Sequence, residues 1–165
     1  MDATQRAREI GGLVGWFVLA FATAAIGAAA SVGAGELYGA LARPDWAPPA
    51  SVFGPAWTAL YALMAVAAWR VWRVGGFARA RTALALFVVQ LALNALWSWL
   101  FFGWQLGALA FADVVVLWIA IAATLAAFWR IDRLAGGLLV PYLAWVTFAA
   151  ALNYTVWQLN PQVLG

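Results

Sequence analysis

The chain has 165 residues, of which 67% are hydrophobic and 9% charged, with a formal net charge of +3. Soluble domains average roughly 45–50% apolar and about 25% charged residues, so an ordinary water-soluble fold is excluded. Cysteine and histidine are absent, and all nine basic residues are arginine. That excludes thiol chemistry, disulfides, zinc sites built from Cys or His, axial haem ligation by either, and a Schiff base on lysine.

The arginines sit at the ends of apolar runs and form no basic face, which argues against nucleic acid as a partner despite the positive balance. Uncharged windows cover 10–35, 46–69, 82–112, 114–129 and 134–165. A membrane helix needs roughly 20 mostly apolar residues to cross a core of about 30 Å. Each window is long enough or nearly so. The fold expected is an all-α integral membrane protein, a bundle of five transmembrane helices in one domain spanning 1–165.

In chain order, a first helix is expected over 10–32. Arg6 and Arg8 before an apolar run resemble a signal peptide, but the run is longer than the roughly 7–15 residues of a signal core, so it is read as a retained helix. Next comes the only long loop, 33–51, where helix connections usually take about 2–8 residues. It carries Leu37, Tyr38, Leu41 and Trp46 and is stiffened by Pro44, Pro48 and Pro49. Glu36 to Ala42 can make two helical turns before proline disfavours helix. Such a loop is either a connector lying on the headgroups or a lid over the outer end of the bundle. Its apolar content favours the lid.

A second helix is expected over 52–73 and a third over 81–103, separated at Gly75-Gly76. A fourth follows over 107–129 after a tight turn bracketed by Gly103 and Gly107. The fifth runs over 134–158, after Arg130, Asp132, Arg133 and Gly136-Gly137. Pro141 removes one backbone hydrogen bond within it and is expected to kink it. With the N-terminus on one side, that side collects every arginine except Arg43. Cytoplasmic segments carry the excess of basic residues. The N-terminus is therefore expected in the cytoplasm, and the long loop and C-terminus on the opposite side, in the periplasm of a bacterial envelope or its equivalent.

Polar groups inside a bilayer are costly and tend to face the bundle interior or a cavity. At about 1.5 Å per residue, Gln90, Asn94 and Thr147 lie near the midplane. Trp57, Tyr61, Trp97, Asp113 and Asn153 lie in the half beneath the long loop. Gln90, Asn94, Trp97 and Phe101 share one helix face. Trp57, Tyr61 and Met64 share another, and Tyr142, Trp145, Ala149 and Leu152 a third. Any one stripe is ordinary helix packing. Three stripes with hydrogen-bonding groups at one depth favour a pocket, since ligand sites are mostly apolar with a few orienting polar groups. Trp69, Trp72, Trp99, Trp104, Trp129 and Trp157 sit at helix ends, as interfacial belts do. Trp57, Trp97, Trp118 and Trp145 lie within the spans, where an indole N–H needs an acceptor. Asp113, the one acid well inside a span, is expected to be hydrogen-bonded within the bundle to an indole or loop amide, the alternative being a direct ligand or proton role.

These residues also resemble a known family. The run Leu37-Tyr38-Gly39-Ala40-Leu41-Ala42-Arg43-Pro44-Asp45-Trp46-Ala47-Pro48-Pro49 is similar to the first-loop signature of the TspO/MBR family, the translocator or tryptophan-rich sensory proteins, also called peripheral-type benzodiazepine receptors. The likeness continues through Val52-Phe53-Gly54-Pro55-Ala56-Trp57-Thr58-Ala59-Leu60-Tyr61. It recurs in Asn94, Trp97, Ser98 and Phe101-Phe102-Gly103, at Asp113, in Pro141-Tyr142-Leu143-Ala144-Trp145 and in Leu152-Asn153-Tyr154. The resemblance implies five transmembrane helices, a first loop closing a pocket, frequent homodimers, and no resident cofactor or metal. Its implied ligands are porphyrins such as protoporphyrin IX and haem, sterols, and isoquinoline or benzodiazepine drugs. Carried over by motif, Tyr38, Trp57, Tyr61, Asn94, Trp97, Trp145, Ala149 and Leu152 would line the pocket, with Trp57 and Trp145 donating to a ligand carbonyl or carboxylate.

One departure matters. The family's sterol motif ends on a basic residue, and here Tyr154-Thr155-Val156-Trp157 is followed by Gln158-Leu159-Asn160. That counts against cholesterol, although the pattern is a weak one, and favours porphyrin. The function expected is a receptor or sensor for such tetrapyrroles, with Arg43 at the mouth meeting carboxylates. Alternatives are a transporter of tetrapyrroles or sterols, and a light- or oxygen-dependent porphyrin-degrading enzyme with Trp57 and Trp145 as redox-active indoles.

Overall fold

In the computed structural model, which describes residues 3–165, the chain is all-helical. The elements are α1 (Ala3–Ala30), α2 (Ala34–Ala40), a 3₁₀ turn (Ala50–Val52), α3 (Phe53–Ser98), a π turn (Trp99–Gly103), α4 (Gly107–Ile131), α5 (Arg133–Leu138), α6 (Val140–Leu159) and α7 (Pro161–Leu164). Among the described residues, four segments are long and apolar enough to cross a membrane: Ala3–Ala30, Ala50–Gly103, Gly107–Ile131 and Arg133–Leu159. Helices satisfy their backbone groups internally, which lipid requires.

The 46-residue α3 is not one straight rod. Gly76 interrupts it at φ 60° and ψ −168°, a left-handed backbone that glycine adopts without a Cβ penalty. The Tyr61 hydroxyl donates to Asn94 Oδ1 at 2.8 Å across 33 residues of sequence. On a straight helix those residues would stand about 50 Å apart. The chain therefore doubles back at the expected glycine pair, and the two halves of α3 lie side by side.

The core follows helical spacing. Leu60, Met64, Ala67, Ala68 and Val71 on the first half of α3 meet Leu84, Phe87 and Leu91 on the second, and Val114, Leu117, Ile121 and Phe128 on α4. Trp16 and Ala20 join from α1, and Leu139, Tyr142 and Val146 from the C-terminal segment. A second apolar cluster gathers Tyr38, Leu41, Leu100, Phe101, Ala110, Leu152, Val156 and Leu164. The outward faces are also apolar: Val18 is 63% exposed, Ile119 57% and Val116 52%. In water such surfaces would be a liability. In lipid they are the natural outside of a bundle.

Several local expectations are revised. The first helix starts at Ala3, ahead of Arg6 and Arg8. The last span is broken at Leu139, so Pro141 falls in the first turn of α6 and not in its interior. The first-turn N–H groups of a helix lack partners in any case, so proline there costs little. The turn between α3 and α4 takes its left-handed residue at Gln105 (φ 55°) and not at a glycine. Gly107 serves close approach instead: a Cβ there would lie 2.6 Å from Trp157 Cδ1 and 2.8 Å from the Leu164 carbonyl.

At the arginine-rich end, Arg70 pairs with Asp132 at 2.8 Å. Asp132 Oδ1 also caps α5, accepting from the N–H of Leu134 at 2.9 Å and of Ala135 at 3.2 Å. Burial alone would raise the Asp132 carboxyl. The Ala135 and Leu134 amides and the Arg70 guanidinium overcome this and hold it below the usual carboxylate range.

Candidate functional site

A cavity of about 570 Å³ lies among α1, α2, both halves of α3 and α6, within the range of roughly 300–1,000 Å³ typical of small-molecule sites. Of the eight residues carried over by motif, Tyr38, Trp57, Tyr61, Asn94, Trp97, Trp145 and Ala149 line it. Leu152 does not. It is buried in the second apolar cluster with Leu41 and Val156, one turn beyond Ala149 on the same face of α6.

The wall contains more than those residues. Phe21, Ala24, Gly27 and Ala28 come from α1 and Ser31 from the turn after it, Ala50, Phe53, Gly54 and Thr58 from the start of α3 and the turn before it, and Ser98 and Phe102 from the end of α3 and the π turn that follows. Apart from Phe21, α1 contributes small residues, which carry no polar signal in the sequence. Gly27 brings α1 close: a Cβ there would stand 3.1 Å from Ser98 Oγ. Phe53 was legible only as part of the motif run. It packs edge-on to Tyr38 at 5.4 Å and to Trp145 at 6.0 Å.

The polar side chains at this depth form a closed hydrogen-bonded chain. Tyr61 donates to Asn94 Oδ1, Asn94 Nδ2 donates to the Tyr142 hydroxyl, and Tyr142 donates to Gln90 Oε1, each at 2.8 Å. Gln90 Nε2 reaches Met64 Sδ at 3.8 Å. Tyr142, named in sequence only as one member of a stripe, is fully buried and is the hub of this chain. The chain engages the Asn94 carbonyl oxygen and one of its two N–H groups, so the amide is fixed in place by two tyrosines.

The indoles divide in the same manner. Trp97 Nε1 donates to Asn153 Oδ1 at 2.9 Å, and Trp118 Nε1 donates to Thr147 Oγ1 at 2.8 Å on an exposed face. Thr147 therefore points away from the polar cluster, contrary to expectation. Trp145 Nε1 is different: it is buried and has no partner among the described residues. Its ring stands edge-on to Trp57 at 6.4 Å. An unpaired buried N–H costs about 1–3 kcal/mol, and such groups in native structures call for an explanation.

One expectation about charge is corrected. Asp113 is buried, but its Oδ2 has no hydrogen-bond partner among the described residues. Neither an indole nor a loop amide among the described residues reaches that oxygen. Arg43 is not in the cavity wall. Its guanidinium stacks on the Tyr38 ring, 4.7 Å from the centroid. Among the described residues no group of three or more Asp, Glu, His or Cys comes together as a metal site would require.

Fold and cavity together define an integral membrane helical bundle around an aromatic, uncharged chamber. The chain matches the family model described as the TspO/MBR family over residues 16–158. It is 45% identical over 149 residues to the tryptophan-rich sensory protein of Cereibacter sphaeroides, covering 88% of this chain and 92% of that one. It is 43% identical over 150 residues to the protein CrtK of Rhodobacter capsulatus, covering 88% and 91%. It is also 42% identical over 125 residues to the human translocator protein, covering 74% of each. The chain belongs to the TspO/MBR family.

Proposed function

We propose that this chain is a membrane receptor or sensor for flat, apolar ligands carrying a hydrogen-bond acceptor, with porphyrins such as protoporphyrin IX and haem as the natural class. Isoquinoline and benzodiazepine-type drugs enter the same cavity. The observation that carries the reading is an indole-lined chamber one of whose wall residues, Trp145, holds a buried Nε1 with no partner among the described residues. A guest carbonyl or carboxylate there removes the cost of the orphan donor. The sensory role in the name of the Cereibacter relative points the same way.

The ligand sits in a bundle of five crossings, a count supported by the reversal of α3 at Gly76. The loop between α1 and α3 is the lid, supported by Tyr38 and Ala50 in the cavity wall. The N-terminus is cytoplasmic, the loop and C-terminus lie opposite, and the protein is a homodimer in lipid.

Titration of tryptophan fluorescence with protoporphyrin IX, cholesterol and an isoquinoline carboxamide side by side tests the ligand class. Saturable quenching by the porphyrin, relieved by the isoquinoline, is expected, with no saturable response to cholesterol. Absence of saturable porphyrin binding overturns the reading.

One observation favours a second reading. Trp57 and Trp145 stand 6.4 Å apart on one wall, close enough to act as a redox pair against a bound macrocycle. Loss of the porphyrin absorbance under illumination, abolished in Trp57→Phe, supports an enzyme; stoichiometric binding without loss supports a receptor.

A further inference from the structure

We propose that Asn160 is the latch holding the loop between α1 and α3 closed over the cavity, and thereby the residue that sets how fast a ligand enters and leaves. The proposal rests on the reading of the cavity as a receptor site. Asn160 stands between α6 and α7, in a chain segment 118 residues from the loop it meets. Its Oδ1 accepts from the Ala42 N–H at 2.9 Å, and its Nδ2 donates to the Ala42 carbonyl at 2.8 Å. Nδ2 also donates to the Val156 carbonyl at 2.7 Å. One side chain thus engages both backbone groups of Ala42 and ties them to the last turn of α6.

The chemistry needs an amide. Asparagine offers an acceptor and two donors on one planar group; aspartate has no donor, and leucine has neither. Ala42 needs the partner because α2 has ended at Ala40, Leu41 is already extended (φ −74°, ψ 143°), and Pro44 keeps the helix from resuming.

The joint controls a wall of the cavity. Leu41, next to Ala42, packs against Leu152, Val156 and Leu164, so the C-terminal segment is the seat of the loop. Tyr38, one turn earlier, lines the cavity and donates to the Pro48 carbonyl at 2.9 Å, which binds the two arms of the loop together. At the other end the loop turns on Gly33 at φ 84°, where the absence of a Cβ leaves the backbone free to swing. Releasing Ala42 therefore releases Tyr38 and opens the chamber from the loop side.

The test uses the full chain in phosphatidylcholine nanodiscs, with protoporphyrin IX as the probe. Stopped-flow quenching gives association and dissociation rates, and hydrogen exchange reports on the loop amides. Asn160→Ala is expected to raise both rates tenfold or more, the effect of losing two hydrogen bonds of ordinary strength on an opening equilibrium. Kd moves less than threefold, and faster exchange is confined to about residues 34–49. A damaged wall instead raises Kd and dissociation together and leaves association alone, an outcome that overturns the proposal. Unchanged rates with binding intact also overturn it, because the probe then reaches the cavity by another way, such as from the lipid between helices. Ala42→Pro removes the same N–H from the loop side, at a site where Leu41 already has the backbone that precedes proline. It decides the matter if Asn160→Ala does not fold. If the unaltered chain fails to bind protoporphyrin IX, the receptor reading falls and exchange alone judges the latch. Loop amides released by Asn160→Ala then support it, and loop amides that stay protected overturn it.

Discussion

Replacing Trp145 with phenylalanine separates a ligand donor from a packing residue. The indole N–H is buried without a partner, and its removal deletes a group that costs the empty protein about 1–3 kcal/mol. Phenylalanine keeps an aromatic ring among Phe53, Phe148 and Trp57, whose centroids lie 6.0, 5.5 and 6.4 Å from that of Trp145. The smaller ring gives up some packing, so the two effects offset and the thermal midpoint of the empty protein stays nearly constant. With ligand bound, the deleted N–H is a lost hydrogen bond. That is about 1 kcal/mol to a carbonyl, or roughly fivefold in Kd, and about 1.5–3 kcal/mol to a carboxylate, or roughly ten- to a hundredfold. Trp97→Phe is the control. Its N–H is spent on Asn153 Oδ1 at 2.9 Å, so the change leaves a buried acceptor unpaired and destabilises by about 1–3 kcal/mol with a smaller effect on affinity. Fluorescence titration with protoporphyrin IX and thermal unfolding in detergent supply the two readouts. Equal stability losses in the two variants, with neither altering affinity, would refute the assignment of Trp145 as the donor.

Three further outcomes are expected. Asn94→Leu removes the partner of both Tyr61 and Tyr142 and lowers stability by about 2–3 kcal/mol; adding Tyr61→Phe recovers part of it, as a double-mutant cycle measures. Gly107→Ala forces a Cβ to within 2.6 Å of Trp157 Cδ1 and costs about 1–3 kcal/mol as overpacking, whereas Gly11→Ala meets nothing within 4 Å and gains up to about 1 kcal/mol of helix propensity. Because the folded state holds the Asp132 carboxyl low, the stability it adds is complete above its unfolded pKa of about 3.9 and disappears as pH falls through the lower folded value. Thermal midpoints measured across pH 2–6 show that acid limb, and Asp132→Asn flattens it.

The fold was readable where the sequence carries its own punctuation. The glycine pair at Gly75-Gly76 marks the reversal within α3, and Pro44 the end of the helical stretch in the long loop, because both act through backbone geometry that one residue decides. The break at Leu139 was not readable. Pro141 announces a disturbance, but a proline fits a helix start as well as a kink. The choice depends on Asp132 capping α5 and on Trp129, whose backbone leaves Gly136 no room for a Cβ: one there would lie 2.8 Å from Trp129 Cα. The left-handed turn at Gln105, set between two glycines, carried no signal of its own.

The site was half readable for a different reason. Depth along a helix follows from counting residues, so Trp57, Tyr61 and Trp97 could be assigned to the outer half and Asn94 to the midplane before any contact was known. What each does at its level depends on which partner arrives from another helix. Trp97 and Trp145 are alike in sequence: each is an indole within a span, on the same face as a hydrogen-bonding residue. Asn153 reaches Trp97, and nothing among the described residues reaches Trp145 Nε1. The amides divide in parallel, since Asn94 is held by two tyrosines, while Asn160, outside every predicted stripe, takes hold of Ala42. A polar residue in a membrane bundle becomes a recognition group only when its neighbours leave it idle, and idleness is a property of the assembled helices that no single helix encodes.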